Sequence, residues 1–291
     1  MKNVLLIVLI VMAVFIVLRW IATPFTKIQT RKRVLSQRQP VEIIAHRGGS
    51  LEWPENTLLA FENSAPFVDA IETDLHLTKD GEIVLIHDPT VNRTTDGKGA
   101  VADMTLLEIE KLNAGYYFTK DNGQTYPYRA MKVSIPTLKD ALARLPKMKW
   151  ILEIKNQDDH LEEKLVSILQ ENNLMENVIV SSEYHIVLER IHQRAPSIAT
   201  GSSRKEIKRL VYLHYFKLLP FYKPMIDSLQ VPPEHEGTVI ITKTWVRAMH
   251  NKNLPIQAWT INEENDMKRL IEMKIDGIIT DRPSLLKTIL K

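Results

Sequence analysis

The stretch Val41-Glu42-Ile43-Ile44-Ala45-His46-Arg47-Gly48-Gly49 joins an apolar run to a pair of glycines, which predicts a strand that ends in a loop. Such strand ends are where α/β enzymes place their catalytic groups. His46 can transfer a proton near neutral pH, and Arg47 can bind a phosphate through two hydrogen bonds. A histidine at a strand end is more often a structural hydrogen-bonding residue, so this interpretation depends on the segments that follow.

Short β-branched runs alternate with amphipathic helical stretches throughout residues 41–291. Eight of the runs are predicted strands: 41–45, 69–76, 149–155, 178–181, 197–200, 226–230, 255–259 and 276–279. Predicted helices follow them at 58–64, 138–145, 161–170, 186–194, 206–218, 243–251, 265–273 and 285–290. Eight such units match the size of a (β/α)8 TIM-type barrel, with an open doubly wound sheet as the alternative.

One segment interrupts this alternation after the second predicted strand. Residues 81–86 are typical of the return strand of a hairpin, and the helix after them does not begin until residue 138. A plain loop of that length is uncommon, so residues 89–135 are predicted to form a small insertion with its own structure. Within it, Thr105 and Glu108 have the spacing of a capping box, which predicts a short helix.

The charge of the chain is unevenly distributed. The 291 residues carry a net charge of +3, but residues 1–40 contain seven Lys or Arg and no acid, so residues 41–291 carry −4. A mildly acidic domain argues against broad nucleic-acid binding, which requires a basic face. The chain has no cysteine, which excludes disulfides and thiolate metal sites.

Residues 4–18 form an uninterrupted apolar run, and we interpret residues 1–22 as an uncleaved transmembrane anchor. A cleaved signal peptide is the alternative, although no small-x-small cleavage site follows Arg19 and Trp20. Six basic residues follow the run within the predicted linker region up to residue 40, and only Lys2 precedes it. We therefore expect a single-pass protein of the cell membrane, with a basic linker at 23–40, and the charge bias favours a cytoplasmic catalytic domain at 41–291.

Carboxylates recur on two predicted strands. Glu72 and Asp74 alternate with apolar residues and should point to one face, and Glu153 and Lys155 share a face in the same way. Carboxylates that point into a barrel repel one another and lose hydration, and a hard cation relieves both costs. Each strand alone could form a buried salt bridge, but together they indicate a site for one divalent cation, Mg²⁺ or Ca²⁺.

A second histidine follows the predicted hairpin, in His87-Asp88-Pro89. Two histidines, three carboxylates, Arg47 and Lys155 suit phosphodiester cleavage, which needs an acid, a base and positive charge on the phosphoryl oxygens. Trp259 ends the seventh predicted strand, where it either forms a wall of the substrate pocket or only packs against its neighbours.

These motifs resemble, in order and spacing, those of the glycerophosphodiester phosphodiesterase family over essentially all of residues 41–291. The matching pieces are His46-Arg47-Gly48, Pro54-Glu55-Asn56-Thr57, Glu72-Thr73-Asp74, His87-Asp88-Pro89, Arg93-Thr94-Thr95, Pro136-Thr137-Leu138, Glu153-Ile154-Lys155, Trp259-Thr260-Ile261-Asn262 and Asp276-Gly277-Ile278-Ile279-Thr280-Asp281. The resemblance implies a TIM-type barrel with the family's insertion after His87. It also implies a divalent cation on Glu72, Asp74 and Glu153, an acid-base pair of His46 and His87, and phosphate contacts by Arg47 and Lys155.

The expected reaction is metal-dependent hydrolysis of glycerophosphodiesters to sn-glycerol 3-phosphate and an alcohol. Two alternatives stay open: a lysophospholipase D that acts on membrane lysophospholipids, and a membrane-tethered phosphate-binding module without catalysis. Residues 181–183 depart from the family pattern, because Glu183 follows the two serines where an aromatic is common. Residues 209–222 mix aromatic and basic side chains, which fits either a bilayer-contacting surface or an ordinary outer helix.

Overall fold

The computed structural model describes residues 41–291 together with Met12, Lys32, Val34 and Leu35. Apart from these four positions, the anchor predicted at 1–22 and the linker predicted at 23–40 lie outside the described residues. Within the described part of the chain, none of the helices has the length and the apolar character needed to cross a membrane.

Parallel strands form an α/β barrel, as the alternating pattern predicted. The strands are β1 (Glu42–Ala45), β2 (Ala70–Leu77), β3 (Ile83–Leu85), β4 (Trp150–Ile154), β5 (Val178–Ser181), β6 (Ala199–Thr200), β7 (Leu229–Val231), β8 (Glu234–His235), β9 (Thr238–Val239), β10 (Ile256–Ala258) and β11 (Gly277–Thr280). The order around the main sheet is β6-β5-β4-β2-β1-β11-β10-β7, and every neighbouring pair in this order is parallel. The predicted hairpin is also present, since β3 pairs antiparallel to β2.

A few individual hydrogen bonds, from the backbone and from side chains, connect β6 to β7 in place of a regular strand pairing. The backbone N–H groups of Asp227 and Ser228 both donate to the carbonyl of Thr200, at 2.8 and 3.2 Å. The Ser202 hydroxyl accepts from Gln230 N at 3.0 Å and donates to Gln230 O at 3.1 Å. β7 begins at Leu229, where its pairing with β10 starts, and not at residue 226 as predicted. The β8–β9 hairpin was not predicted.

Helices follow the strands close to their predicted positions. They are α1 (Leu58–Ser64), α2 (Leu106–Ile109), α3 (Leu138–Arg144), α4 (Asp159–Glu171), α5 (His185–Arg194), α6 (Arg204–Tyr215), α7 (Lys243–His250), α8 (Glu264–Glu272) and α9 (Pro283–Ile289). Threonine hydroxyls cap three of them, because Thr57 accepts from Ala60 N, Thr137 from Asp140 N and Thr242 from Trp245 N. The capping box of Thr105 and Glu108 opens α2, which confirms the short helix predicted in the insertion.

An apolar layer fills the barrel at the end where the strands begin. Its members are buried side chains from successive strands, packed with two residues from before β1: Ile44, Ala70, Ile151, Ile179, Ala199 and Ile279, with Val34 and Leu35. Side chains alternate along a strand, so residues two positions further on point into the same interior. The polar residues Glu72, Glu153 and Ser181 occupy those next positions, at the opposite end of the barrel.

A histidine at the end of α7 provides a pH-dependent contribution to stability. His250 Nε2 lies 2.8 Å from Asp276 Oδ2, and this hydrogen bond outweighs burial and raises the pKa of His250. A raised pKa stabilises the fold fully below the unfolded value of about 6.5, and the effect disappears as pH rises through the folded value. We expect His250→Asn to lower the free energy of unfolding in urea by up to about 1 kcal/mol at about pH 5.5 and by much less at about pH 8.5. An equal loss at both pH values would contradict this.

Candidate active site

A cavity of about 200 Å³ opens where the parallel strands end. Seven of the eight predicted site residues line it: His46, Arg47, Glu72, His87, Glu153, Lys155 and Trp259. The eighth, Asp74, is completely buried and in ion-pair contact with Arg47 and Lys155. The barrel thus brings all eight residues together, although they come from five separate parts of the sequence.

The three carboxylates meet because of strand register. Asp74 on β2 pairs directly with Glu153 on β4, and Glu72 precedes Asp74 by two positions on the same face. One oxygen of each carboxylate lies within 4.8 Å of the other two. Burial, followed by the charge of Asp74, raises the pKa of Glu72 to about 8. Burial also acts on Asp74, but the Lys155 and Arg47 charges outweigh it and lower the pKa of Asp74.

These carboxylates fit a hard divalent cation. Asp74 Oδ1 is buried and accepts no hydrogen bond from the described residues. The Lys155 ammonium lies 3.2 Å from both Asp74 Oδ1 and Glu153 Oε1, so these two carboxylates share it, and Arg47 pairs with Asp74 alone of the three. A third carboxylate, Glu72, remains short of positive charge, as its raised pKa indicates. Mg²⁺ and Ca²⁺ take oxygen ligands of this kind, and either would supply the missing charge.

His46 lies in a 3₁₀ turn that directly follows β1. Its Nδ1 is 2.5 Å from Asp281 Oδ1, and its Nε2 is 3.8 Å from Glu72 Oε2. Burial disfavours the imidazolium, but Glu72 and the bonded Asp281 outweigh burial and raise the pKa of His46. Because Nδ1 is hydrogen-bonded to Asp281, Nε2 is the ring nitrogen that faces Glu72.

Asp281 is held by three donors at the end of β11. Ser50 Oγ donates to its Oδ1 at 2.5 Å, and Asn262 Nδ2 donates to its Oδ2 at 2.7 Å. Burial opposes ionisation of Asp281, but the hydrogen bonds from His46, Ser50 and Asn262 prevail and lower its pKa to about 2. Asp281 is therefore an ionised positioning residue that fixes the orientation of the His46 ring.

We expect Asp281→Asn to reduce kcat by about 10- to 100-fold, because the ring of His46 loses its charged acceptor. KM should change much less, since Asp281 does not line the cavity. The measurement is steady-state kinetics beside a thermal unfolding curve, with Asp121→Asn in the insertion as the matched control. An unchanged kcat, or a loss explained entirely by unfolding, would remove Asp281 from this role.

His87 lies across the cavity, at one end of a hydrogen-bonded network of charged side chains that leads to Arg47. His87 Nδ1 is 2.8 Å from Asp88 Oδ1, and Arg93 Nε donates to Asp88 Oδ2 at 2.8 Å. Arg93 also bonds both oxygens of Glu55 at 2.7 and 2.8 Å, and Glu55 accepts from Arg47 NH1 at 3.0 Å. The hydrogen bonds from Arg93 and then His87 lower the pKa of Asp88 to about 2. This network fixes His87 and Arg47 relative to each other.

The backbone after β1 turns sharply to place Arg47. Arg47 has a φ of +51°, and its N–H donates to Glu72 Oε2 at 3.0 Å. Gly48 follows with φ +83°, and a Cβ there would lie 2.8 Å from Ala60 and Phe61. Only glycine fits that position, because both the backbone angle and the approach of α1 exclude a side chain.

The remaining wall of the cavity contains residues that sequence reasoning missed. These residues are Ser202, Arg204 and Gln230. The same wall includes Ser181, Ser182 and Glu183, the run in which the sequence departs from the family pattern. Gln230 is only 6% exposed, and neither atom of its amide makes a hydrogen bond within residues 41–291. Trp259 is 40% exposed on the same cavity, which favours a wall of the pocket over internal packing. Alternation of Ser228 and Gln230 along β7 was the one sequence signal for a polar inner face.

Comparison with known proteins identifies the family. The model of the glycerophosphoryl diester phosphodiesterase family matches residues 46–285. This chain belongs to that family. A glycerophosphodiester phosphodiesterase of Caldanaerobacter subterraneus is 34% identical over 84% of this chain and 95% of its own length. A lysophospholipase D of Mus musculus is 27% identical over 85% of this chain and 81% of its own length.

Two solved structures share the fold. The glycerophosphoryl diester phosphodiesterase domain of a Mycobacterium tuberculosis protein superposes with a TM-score of 0.76 at 21% identity, covering 85% of this chain and 98% of that domain. A phosphodiesterase of Oleispira antarctica, solved in complex with the product sn-glycerol-3-phosphate, superposes with a TM-score of 0.65 at 25% identity. That likeness covers 85% of this chain and 96% of the other.

Proposed function

We propose that this family member hydrolyses glycerophosphodiesters to sn-glycerol 3-phosphate and an alcohol, with one divalent cation held by Glu72, Asp74 and Glu153. The observation that carries the proposal is the arrangement of two histidines, each oriented by its own aspartate, around one cavity that also holds Arg47 and Lys155. The relatives named as phosphodiesterases, and the product complex of the Oleispira enzyme, support the same reaction class.

The cationic side chains would bind the substrate phosphate. Arg47 is fixed by Glu55 and Asp74, so its guanidinium is presented in one orientation. Lys155 lies between Asp74 and Glu153, within reach of the same cavity. The cation, when bound, supplies Lewis-acid polarisation of the phosphoryl group. Positive charge fixed in advance lowers the energy of the transition state in which charge builds on the phosphoryl oxygens.

Proton transfer would fall to His46 and His87. Both rings use Nδ1 on an aspartate, which leaves Nε2 of each for the reaction. One histidine removes a proton from the nucleophile, either water or a glycerol hydroxyl of the substrate, and the other protonates the leaving alkoxide. A pure binding site has no use for two oriented imidazoles, so this pair favours an enzyme over a phosphate-binding module.

A lysophospholipase D is the second candidate. The mouse relative carries that name, and the cavity wall includes the apolar side chains of Trp259 and Ile207, which could contact a substrate with an acyl chain. The two candidate activities share the same phosphodiester cleavage. They differ in whether the glycerol of the substrate carries an acyl chain.

Product analysis by mass spectrometry tests both candidates. The full-length protein is given glycerophosphocholine and lysophosphatidylcholine separately, each with Mg²⁺, with Ca²⁺ and with chelator. Glycerol 3-phosphate and choline from the soluble diester, stopped by chelator, is the expected result. Lysophosphatidic acid from the lysolipid would favour the second candidate. Cation-dependent binding without any product would instead support a non-catalytic module.

Gln230 provides a sharper test of how the glycerol group is recognised. Its buried amide offers one donor and one acceptor to the cavity, which suits a pair of hydroxyls. We expect Gln230→Met to lower kcat/KM for glycerophosphocholine by about 10- to 100-fold, since the hydroxyls would lose their partners. The variant should also lose discrimination against an analogue that lacks the terminal glycerol hydroxyl. Gln124→Met in the insertion is the matched control, and unchanged kinetics for Gln230→Met would contradict the assignment.

A further inference from the structure

Four large apolar side chains are more than half exposed at the end of α6 and in the connection to β7. They are Tyr212, Tyr215, Phe216 and Met225, and their exposed fractions range from 59% to 78%. We refer to these four residues as the α6-end surface. Exposure of grouped apolar side chains to water is energetically unfavourable, so a surface of this kind usually contacts a partner.

Basic side chains surround the α6-end surface. Lys208, Lys217 and Lys223 are exposed along the same segment. Within residues 41–291, no acid lies within ion-pair distance of these three lysines, although the domain as a whole carries excess negative charge. Aromatic side chains bordered by unpaired lysines complement the interface of an anionic bilayer, where rings enter the headgroup region and ammonium groups meet phosphates.

The α6-end surface lies far from the catalytic cavity. Helix α6 begins at Arg204, which lines the cavity, and its twelve residues extend over ~18 Å toward the end of the barrel where the strands begin. Met225 lies at that end, since it is close in sequence to Asp227, which precedes β7. The catalytic residues follow the strands, so the two features lie toward opposite ends of the barrel.

The chain that precedes the domain reaches the barrel at this same end. Lys32 N donates to Asp227 Oδ1 at 3.1 Å, and Lys32 Nζ donates to the carbonyl of Ile198 at 2.7 Å. Val34 and Leu35 are buried in the apolar layer next to these contacts. The sequence before Lys32 contains the apolar run of residues 4–18, so the predicted membrane anchor connects to the domain beside the α6-end surface.

We propose that the α6-end surface lies against an anionic lipid bilayer, which holds the catalytic cavity open to water on the side away from the membrane. The point where the chain meets the barrel, the exposed rings and the lysines all lie toward one end, and the predicted anchor precedes that point in the sequence. A second copy of the chain or a peptide would account for the rings but not for their position at the end of the barrel where the chain from the predicted anchor arrives. Water-soluble diesters then enter directly, whereas lysolipids of the same bilayer face the wrong end of the barrel.

The absence of cysteine from the chain permits a direct test by site-specific labelling. Tyr215→Cys, Phe216→Cys and Met225→Cys report on the α6-end surface. Leu51→Cys and Leu107→Cys report on the opposite end, because Leu51 follows the His46 turn and Leu107 lies on α2 beside the β2–β3 turn. Each full-length variant is labelled with an environment-sensitive fluorophore and reconstituted in vesicles of phosphatidylcholine and phosphatidylglycerol. Quenching by lipid-attached nitroxide is then compared with quenching by aqueous iodide.

The expected result is nitroxide quenching at positions 215, 216 and 225, and iodide quenching at positions 51 and 107. Nitroxide quenching at 51 and 107 would overturn the proposal, since the cavity would then face the bilayer. Failure to associate with the vesicles, or iodide quenching at all five positions, would overturn it as well. None of the five side chains belongs to the catalytic machinery, so turnover of a soluble diester verifies that each labelled variant is folded. A failure of this test leaves the reaction itself unaffected, because product analysis measures that separately.

Discussion

Substitution of His46 or His87 by glutamine is expected to lower kcat by at least about 10²-fold, with much smaller changes in KM. Glutamine keeps a hydrogen-bonding side chain of similar reach, so the rest of each site should persist. It cannot take up or release a proton near neutral pH, however, and the reaction would lose either its base or its acid. The measurement is steady-state turnover of glycerophosphocholine, with the products identified by mass spectrometry.

His160→Gln is the matched control for this pair, because His160 is exposed on α4 and does not line the cavity. Its kcat should equal that of the unmodified enzyme. The double variant of His46 and His87 should show less than the product of the two single effects, since residues that act on one reaction as a unit are not additive. Near-normal turnover in either single variant would reject the acid-base assignment of that histidine.

The sequence was informative where function depends on periodicity along one strand. Glu72 and Asp74 are two positions apart, and so are Glu153 and Lys155, so their shared faces follow from the geometry of a strand. The barrel then brings the two strands together, because β2 and β4 are parallel neighbours with Asp74 opposite Glu153. This is why the carboxylate cluster was predictable from the sequence.

Contacts between distant parts of the chain were not predictable in the same way. Asp281 orients His46 across 235 positions, and only closure of the barrel between β1 and β11 brings them within 2.5 Å. The bond from Arg93 to Glu55 joins the insertion to the segment that follows β1, and strand periodicity does not determine how those two parts meet. The sequence also does not show that the side-chain amide of Gln230 lacks a hydrogen-bond partner. In the structure, Ser202 bonds the backbone of Gln230 and not its side chain.

The mix of aromatic and basic side chains in residues 209–222 does not by itself distinguish two structural interpretations. Both a bilayer-contacting surface and an outer barrel helix agree with their sequence, and α6 is indeed an outer helix that buries Leu210. Its last turn is nevertheless exposed and aromatic, and it points away from the cavity. That position argues against delivery of lysolipid from this surface to the active site, which a sequence pattern alone could not decide.

Addition of Mg²⁺ or Ca²⁺ is expected to raise the thermal unfolding temperature of this protein, and Asp74→Asn or Glu153→Gln should abolish that rise. Three carboxylates within 4.8 Å, two of them buried and one partly exposed, destabilise the metal-free fold, and a cation that binds only the folded state stabilises it by mass action. The same variants should reduce kcat by about 10³-fold or more, because positive charge on the phosphoryl group is lost. The measurements are unfolding curves and turnover, each with cation and with chelator.

Asp74→Asn also removes ion pairs to Arg47 and Lys155, so a loss of activity in that variant alone would not distinguish cation binding from folding. Glu153→Gln separates the two, because Glu153 is a partly exposed residue and, within residues 41–291, forms an ion pair with Lys155 alone. It should fold normally in chelator and fail to respond to the cation. Asp121→Asn, in the insertion, should respond as the unmodified protein does. A cation-induced rise in unfolding temperature that persists in Glu153→Gln would exclude the three carboxylates as the site, whereas its loss together with turnover would connect the cation to the chemistry.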